Sequence, residues 1–216
     1  QHIGHTLIME LQVHLKQNTS QRVGMTLHSK QISDYIFVDK CIPDSICDLI
    51  KNELNSSYWE KHQWGSTSGS PIQKEDSLEP DVTYSKSLDS ILKTFVEKTA
   101  KKYEELHSDK TNKNTSQFIF AISEIRFNRY YQDQKMEMHF DHIKSLFDGI
   151  NKGIPAVSFV GALNDDYDGG ELVFWEDYSI KLKKGEVVCF PSNFMYQHRV
   201  NPILNGVRDT FVCWAW

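Results

Sequence analysis

The chain has no apolar run close to the eighteen or so residues that a membrane-spanning helix needs, so nothing in it reads as a helical span. It is also short of arginine. Most of its 24 basic residues are lysines, set against 29 acidic ones, for a net charge of −5. A phosphate-binding surface needs clustered Lys and Arg, and Lys holds phosphate with less geometric definition than Arg. Nucleic acid is therefore a poor partner. Cysteine is scarce: Cys41, Cys47, Cys189 and Cys213 sit among apolar residues and form no Cys-x-x-Cys pair. They read as reduced, buried thiols, with a disulfide between neighbouring strands left open. The first residues, QHIGHTLIMELQVHLKQ, begin without Met and lack the basic-then-apolar layout of a signal peptide. The expected location is cytoplasmic.

What is present suits a soluble globular protein. The 216 residues are 39% apolar and 25% charged, enough for one domain with a full core. Residues 1–33 are weakly patterned and are left as an extension. The single domain is expected over 34–216, with helical support at 40–108 and a β core at 117–216. A short strand is predicted at Tyr35–Val38 and a turn at Ile42–Asp44. The helix that follows has Ile46, Leu49, Ile50 and Leu54 at helical spacing, with Asp44 or Ser45 as its cap. Residues 64–81 are rich in Gly, Ser, Pro and charge, as a loop or lid would be. A second amphipathic helix places Leu88, Ile91, Leu92, Phe95 and Ala100 on one side. From Phe118 onward about eight short β-branched and aromatic runs alternate with turn signals such as NDDYDGG and NPILNG. The predicted class is α+β, mainly β: a sandwich or jelly roll with N-terminal helices packed on one sheet.

In MEMHFDHIKSL, His139 and Asp141 lie two apart, so in a strand they point to one face. Chance alone supplies roughly 0.7 such pairs in a chain of this composition, and His107–Asp109 is one, set in a polar break. A third ligand is needed, and His198 follows an apolar strand ending near Pro191. Together, His139, Asp141 and His198 make a two-His, one-carboxylate set that suits Fe(II) and also Mn(II), Co(II) or Zn(II). In GVRDTFVCWAW, alternation puts Arg208, Thr210, Val212 and Trp214 on one face. A lone Arg there needs an anionic partner, and its planar fork suits a carboxylate.

These residues resemble the Fe(II)/2-oxoglutarate-dependent oxygenases, specifically the prolyl 4-hydroxylase-like group. Tyr130 stands nine residues before His139, and Arg208 ten after His198, with Trp214 six further on. LNDDYDGGELVF and LKKGEVVCFPS lie between them. The resemblance covers about residues 117–216. The animal and plant collagen-type enzymes usually have Lys at the position of Arg208, so this chain looks closer to a bacterial branch. The resemblance implies a double-stranded β-helix (jelly roll), with Fe(II), 2-oxoglutarate and O2 as cofactor and cosubstrates; ascorbate is admitted. It makes His139, Asp141 and His198 the metal ligands. Arg208 would be the cosubstrate's carboxylate anchor, helped by Tyr130 and Thr210.

The implied reaction is C–H hydroxylation of a prolyl or other amino-acid residue in a protein or peptide, with release of succinate and CO2. A free amino acid or small metabolite is the second substrate class. Nucleic-acid demethylation fits worse, because that group has a second Arg where Trp214 stands. A jelly-roll binding module without catalysis has no use for open metal positions. Arg126 and Asn128 share Tyr130's face and are candidates for substrate contact. Trp175 and Tyr178 are candidates for the walls of the site. Trp214 and Trp216 are expected in packing, and Tyr131 and His142 on the opposite face or the surface.

Overall fold

The computed structural model describes residues 31–64, 78–108, 117–141 and 153–216, and the fold below is that of the unit Ser33–Trp216. Nearly all of the expected extension, the tip of the expected lid and His142 lie outside the described residues. The elements run β1 (Phe37–Lys40), α1 (Asp44–Leu54), β2 (Glu60–Lys61), β3 (Asp81–Tyr84) and α2 (Lys86–His107). Then come β4 (Arg126–Tyr130), β5 (Met136–His139), β6 (Val157–Ala162), β7 (Asp168–Gly169), β8 (Leu172–Phe174) and β9 (Tyr178–Ile180). β10 (Glu186–Pro191), β11 (His198–Val200), β12 (Ile203–Asn205) and β13 (Arg208–Ala215) complete the chain.

A seven-stranded antiparallel sheet has the order β1-β10-β6-β13-β4-β3-β2, and a four-stranded one the order β5-β11-β8-β9. Alternation along the large sheet sorts its side chains into two interiors. Phe127, Phe159, Val187, Cys189, Phe211 and Cys213 join one buried cluster with Cys47, Ile50 and Leu54 of α1 and Leu88, Leu92, Val96 and Tyr103 of α2. Their neighbours of opposite parity, Tyr130, Val160, Val188, Phe190 and Val212, share the other cluster with Met136, Leu172, Phe174 and Val200 of the small sheet. The second interior lies between the two sheets and holds the polar site.

Polar ties bind the helices and loops to the large sheet. Asp89 of α2 accepts the Ile125 N–H at 2.7 Å, and Glu104 accepts those of Phe118 and Ile119, both at 2.8 Å. On the α2 side, Thr99 donates to Asp39 of β1 at 2.9 Å. Arg129 and Asp209 face each other across β4 and β13 and pair through two parallel hydrogen bonds, at 2.7 and 3.2 Å. Trp59 lies against the Arg129 guanidinium at 4.6 Å.

Several expectations need correction. Residues Ile32–Tyr35 form a 3-10 turn closed by Ile36 N–H to Ser33 O, so the first strand begins at Phe37, where pairing with Cys189 starts. Helix α1 has Pro43 as its N-cap and no side-chain cap, because Asp44 is already helical and its carboxylate binds Lys40 at 2.7 Å. Leu49 is 44% exposed; at 100° per residue it falls off the stripe of Cys47, Ile50 and Leu54. Asp81, expected at a loop end, opens β3. The turn signals NDDYDGG and NPILNG each contain a short strand, β7 and β12, and these pair with each other. The FIFAISEIRFNRYY run is ladder only from Arg126, and Phe120 is exposed. The four cysteines are free, and burial pushes the Cys47 thiol up to about 11.

Asp209 is buried and Arg129 largely so, so removing one partner strands a charge. Asp209→Ala is expected to cost ~3–5 kcal/mol, read as a lower urea midpoint at unchanged slope. The double variant Arg129→Met/Asp209→Leu, which leaves no charge behind, is expected to recover most of that loss.

Candidate metal centre

Strands β5 and β11 pair with His139 opposite His198, which sets the two rings 4.4 Å apart between centroids. Each ring is held the same way. His139 Nδ1 lies 2.7 Å from the Glu137 carbonyl, and His198 Nδ1 lies 3.0 Å from that of Tyr196. A carbonyl only accepts, so Nδ1 carries the proton and each Nε2 keeps its lone pair for the site. Asp141, just past the end of β5, faces both: Oδ1 is 3.4 Å from His139 Nε2 and Oδ2 is 3.8 Å from His198 Nε2. The ligand atoms of the three residues all lie within 4.8 Å of one another.

Electrostatics keeps Asp141 ionised and His198 neutral, the states a cation needs, while in the metal-free cluster Asp141 pulls His139 toward its protonated form, so metal binding there would displace a proton. Burial alone would raise the Asp141 pKa, but facing His198 and His139 outweigh it and hold the carboxyl well below the usual range. Burial drives His198 down to about 4, keeping it neutral. His139 is also penalised by burial, but its contact with Asp141 carries it above the ordinary histidine value. Asp141 Oδ2 is buried and has no hydrogen-bond partner. A buried acceptor left bare is costly. A divalent cation among two imidazole nitrogens and this carboxylate would satisfy it, so the donor set fits an Fe(II)-type ion.

On the large sheet, across the interior from β5 and β11, β13 and β4 supply the second polar group. Arg208 is 2% exposed, pairs in register with Tyr130, and holds its guanidinium 4.9 Å from the Tyr130 ring centre. Its Nη1 makes one long hydrogen bond to Thr210 Oγ1 at 3.5 Å, while Nε is buried without a partner. No described carboxylate forms an ion pair with it. Tyr130 is equally buried, its hydroxyl 4.0 Å from Met136 Sδ; burial raises its pKa against the opposing pull of Arg208. His139, Asp141, His198, Arg208, Tyr130 and Thr210 all line one cavity, about 380 Å³ including its mouth. The predicted set is thus brought together, and the cavity has an unsatisfied carboxylate at one place and an unsatisfied guanidinium at another.

Residues 125–216 match the family model of the 2OG-Fe(II) oxygenase superfamily. The chain has curated relatives among the PKHD-type hydroxylases. That of Shewanella oneidensis is 38% identical over 93 residues, 41% of this chain and 40% of the relative; the chain thus spans less than half the length of the relative it matches. Among solved structures, a prolyl hydroxylase of Trichoplax adhaerens, in complex with a hypoxia inducible factor peptide fragment, superposes with a TM-score of 0.63 at 13% identity. It covers 95% of this chain and 92% of its own. A prolyl-4-hydroxylase of Pseudomonas putida gives 0.55 at 16% identity, covering 84% and 91%. At these identities the likeness is one of fold.

The His139–Asp141–His198 cluster has neighbours outside the cavity lining that sequence reasoning missed. Trp64 packs its edge against His139 at 5.1 Å and donates its indole N–H to Glu79 at 3.2 Å; the buried His62 lies 3.6 Å from Glu79. Nothing in their spacing ties these residues to β5; β3 beside β4 and the Lys135 N–H bond to the Leu78 carbonyl do. Trp214, expected in packing, does pack against the between-sheet core and also lines the cavity, because it keeps the parity of Arg208. Trp175 and Tyr178 do not line it. Trp175 donates to the Met195 carbonyl at 2.7 Å and packs with Tyr178 and Tyr196. Gly170, in the GGELVF run, has φ +68, and a Cβ there would meet Arg208 Cδ at 2.9 Å and Ile203 Cδ1 at 2.6 Å. Its bare backbone lets the Arg208 stem pass. Gly170→Ala is expected to destabilise by about 1–3 kcal/mol, measured as a lower Tm.

Proposed function

We propose that the protein is an Fe(II)- and 2-oxoglutarate-dependent dioxygenase that hydroxylates a C–H bond of a prolyl residue in a protein or peptide. The observation that carries this reading is the cavity shared by Asp141 and Arg208, two buried opposite charges that leave atoms unsatisfied and do not pair with each other. In this reading His139, Asp141 and His198 hold the iron on one side, leaving its other positions open. Arg208 receives the far carboxylate of 2-oxoglutarate, with Thr210 and the Tyr130 hydroxyl as further donors. Bound iron with 2-oxoglutarate and O2 supplies the oxidising power for hydroxylation, releasing succinate and CO2.

The chain's own part is positional. The hydrogen bonds from Nδ1 to Glu137 and Tyr196 fix both rings, so neither must reorient on metal loading. Met136, Val160, Leu172, Val200 and Val212 line the space between the polar groups. These apolar walls exclude water from the reacting region and strengthen the Arg208–carboxylate attraction. The prolyl assignment is supported by the names of the similar proteins, prolyl hydroxylases among them.

The test is anaerobic addition of Fe(II), then 2-oxoglutarate, to metal-free protein, followed by visible absorption. A charge-transfer band is expected in the wild type and its loss in His139→Ala. Arg208→Ala is expected to need about ten- to a hundredfold more 2-oxoglutarate for half-saturation, the value of one charge-assisted contact. Folded wild-type protein that gives no band would overturn the proposal.

A further inference from the structure

The cavity has a second arginine that the proposed reaction does not use. Arg126 lies on the same face of β4 as Asn128 and Tyr130, opposite Val212 of β13, and lines the cavity while remaining half-buried. Its Nε donates to Asn128 Oδ1 at 3.1 Å, which fixes the guanidinium and leaves both terminal nitrogens uncommitted. The guanidinium lies 5.3 Å from the Trp214 ring centre. Trp214's own indole N–H is buried without an acceptor. No described carboxylate pairs with Arg126. The positively charged fork and the bare indole donor therefore line one cavity, and beyond Asn128 Oδ1 no described residue supplies them an acceptor.

Position separates this arginine from Arg208. Tyr130, the register partner of Arg208, is four residues along β4 from Arg126, about 13 Å at strand rise, so the two arginines stand at different levels of the same wall. Charge gives the same separation. With the iron and the cosubstrate dianion in place, Asp141 and Arg208 balance each other, and Arg126 is the one charged side chain lining the cavity that is left over. A ligand entering the loaded site therefore meets a net positive charge at this level.

We infer that Arg126, with Trp214, binds a carboxylate of the substrate, so that the enzyme selects an acidic substrate: a peptide with Asp or Glu beside the hydroxylated residue, or a free acidic amino acid. This rests on the oxygenase reading above and adds the substrate's charge to it. Arg126 is a specificity residue in this assignment, bonded to the substrate away from the reacting carbon.

The experiment is calorimetric titration of the anaerobic protein loaded with Fe(II) and 2-oxoglutarate, its visible band read first in the same sample. Two matched pairs are compared. One is a decapeptide with a central proline flanked by glutamates against the same peptide with glutamines; the other is L-glutamate against L-glutamine. At least one acidic member is expected to bind about ten- to a hundredfold more tightly than its amide counterpart, and the pair that discriminates identifies peptide or free amino acid as the source. Arg126→Gln is expected to bring that ratio close to one, and Arg126→Lys to keep part of it, with the 2-oxoglutarate requirement unchanged in both. No preference in either pair, or one that survives in Arg126→Gln, overturns the inference. A raised 2-oxoglutarate requirement in Arg126→Gln also overturns it, by assigning this arginine to the cosubstrate. Loss of the visible band in the wild type would instead count against the oxygenase reading itself.

Discussion

Two charges buried in one interior without neutralising each other set the terms for the rest of the molecule. Asp141 and Arg208 both line the space between the sheets, and each keeps an atom with no hydrogen-bond partner. Such atoms cost free energy in every folded molecule, so the surrounding structure must hold them apart and stay folded while doing so. The large sheet does this through parity. Arg208 and Asp209 are consecutive, yet one faces the cavity with its guanidinium unsatisfied and the other faces the helix side in a two-bond pair with Arg129. The same alternation sends Phe127 and Phe211 into the helix-side core and Asn128 and Thr210 into the site. The stabilising face and the reactive face are thus written on the same strands, one residue out of phase.

The metal cluster depends on a different device, the pairing of β5 with β11. Register brings His139 and His198 opposite each other, and the backbone carbonyls of Glu137 and Tyr196 turn both rings so that Nε2 faces inward. Each ring is therefore oriented by the backbone two residues back. Aromatic side chains flank both rings: Trp64, its N–H tied to Glu79, lies against His139, and Phe190 and Phe174 lie against His198.

Much of this was legible in the sequence wherever the information is local or periodic. GVRDTFVCWAW alternates so plainly that Arg208, Thr210 and Val212 could be put on one face before any fold was known, and the His139–Asp141 spacing needed only strand parity. His198 is far from that pair in the chain and was found because residue types recur in a fixed order. What sequence could not supply was proximity created by sheet neighbours. Trp64 and Glu79 reach the site because β3 lies beside β4, a long-range pairing with no signature in either segment. Local competition accounts for the other misses. Asp44 was claimed by Lys40 rather than by the helix end, and short ladders such as β7 and β12 hide inside residues that otherwise read as turns. Trp214 kept both its expected packing and the face it shares with Arg208, so it lines the cavity as well.

Depth along β4 orders the polar residues of the cavity. Tyr130 is buried beside Arg208, Asn128 is buried in the middle, and Arg126 is half-buried at the far level. A group at the buried end is clasped by packing on all sides, and its replacement disturbs the core as well as the ligand. A half-buried group can be exchanged with little effect on stability, because solvent already compensates it in part. The anchor expected to serve every turnover therefore lies where substitution is most expensive, and the residue assigned to selectivity lies where it is least so. On such a wall, change at the position of Arg126 alters which substrate is accepted while leaving the His139–Asp141–His198 cluster and the Arg208 anchor in place. In that proposal the Arg208 anchor and Arg126 stand at different levels of the β4–β13 wall, and the His139–Asp141–His198 cluster stands on the other sheet.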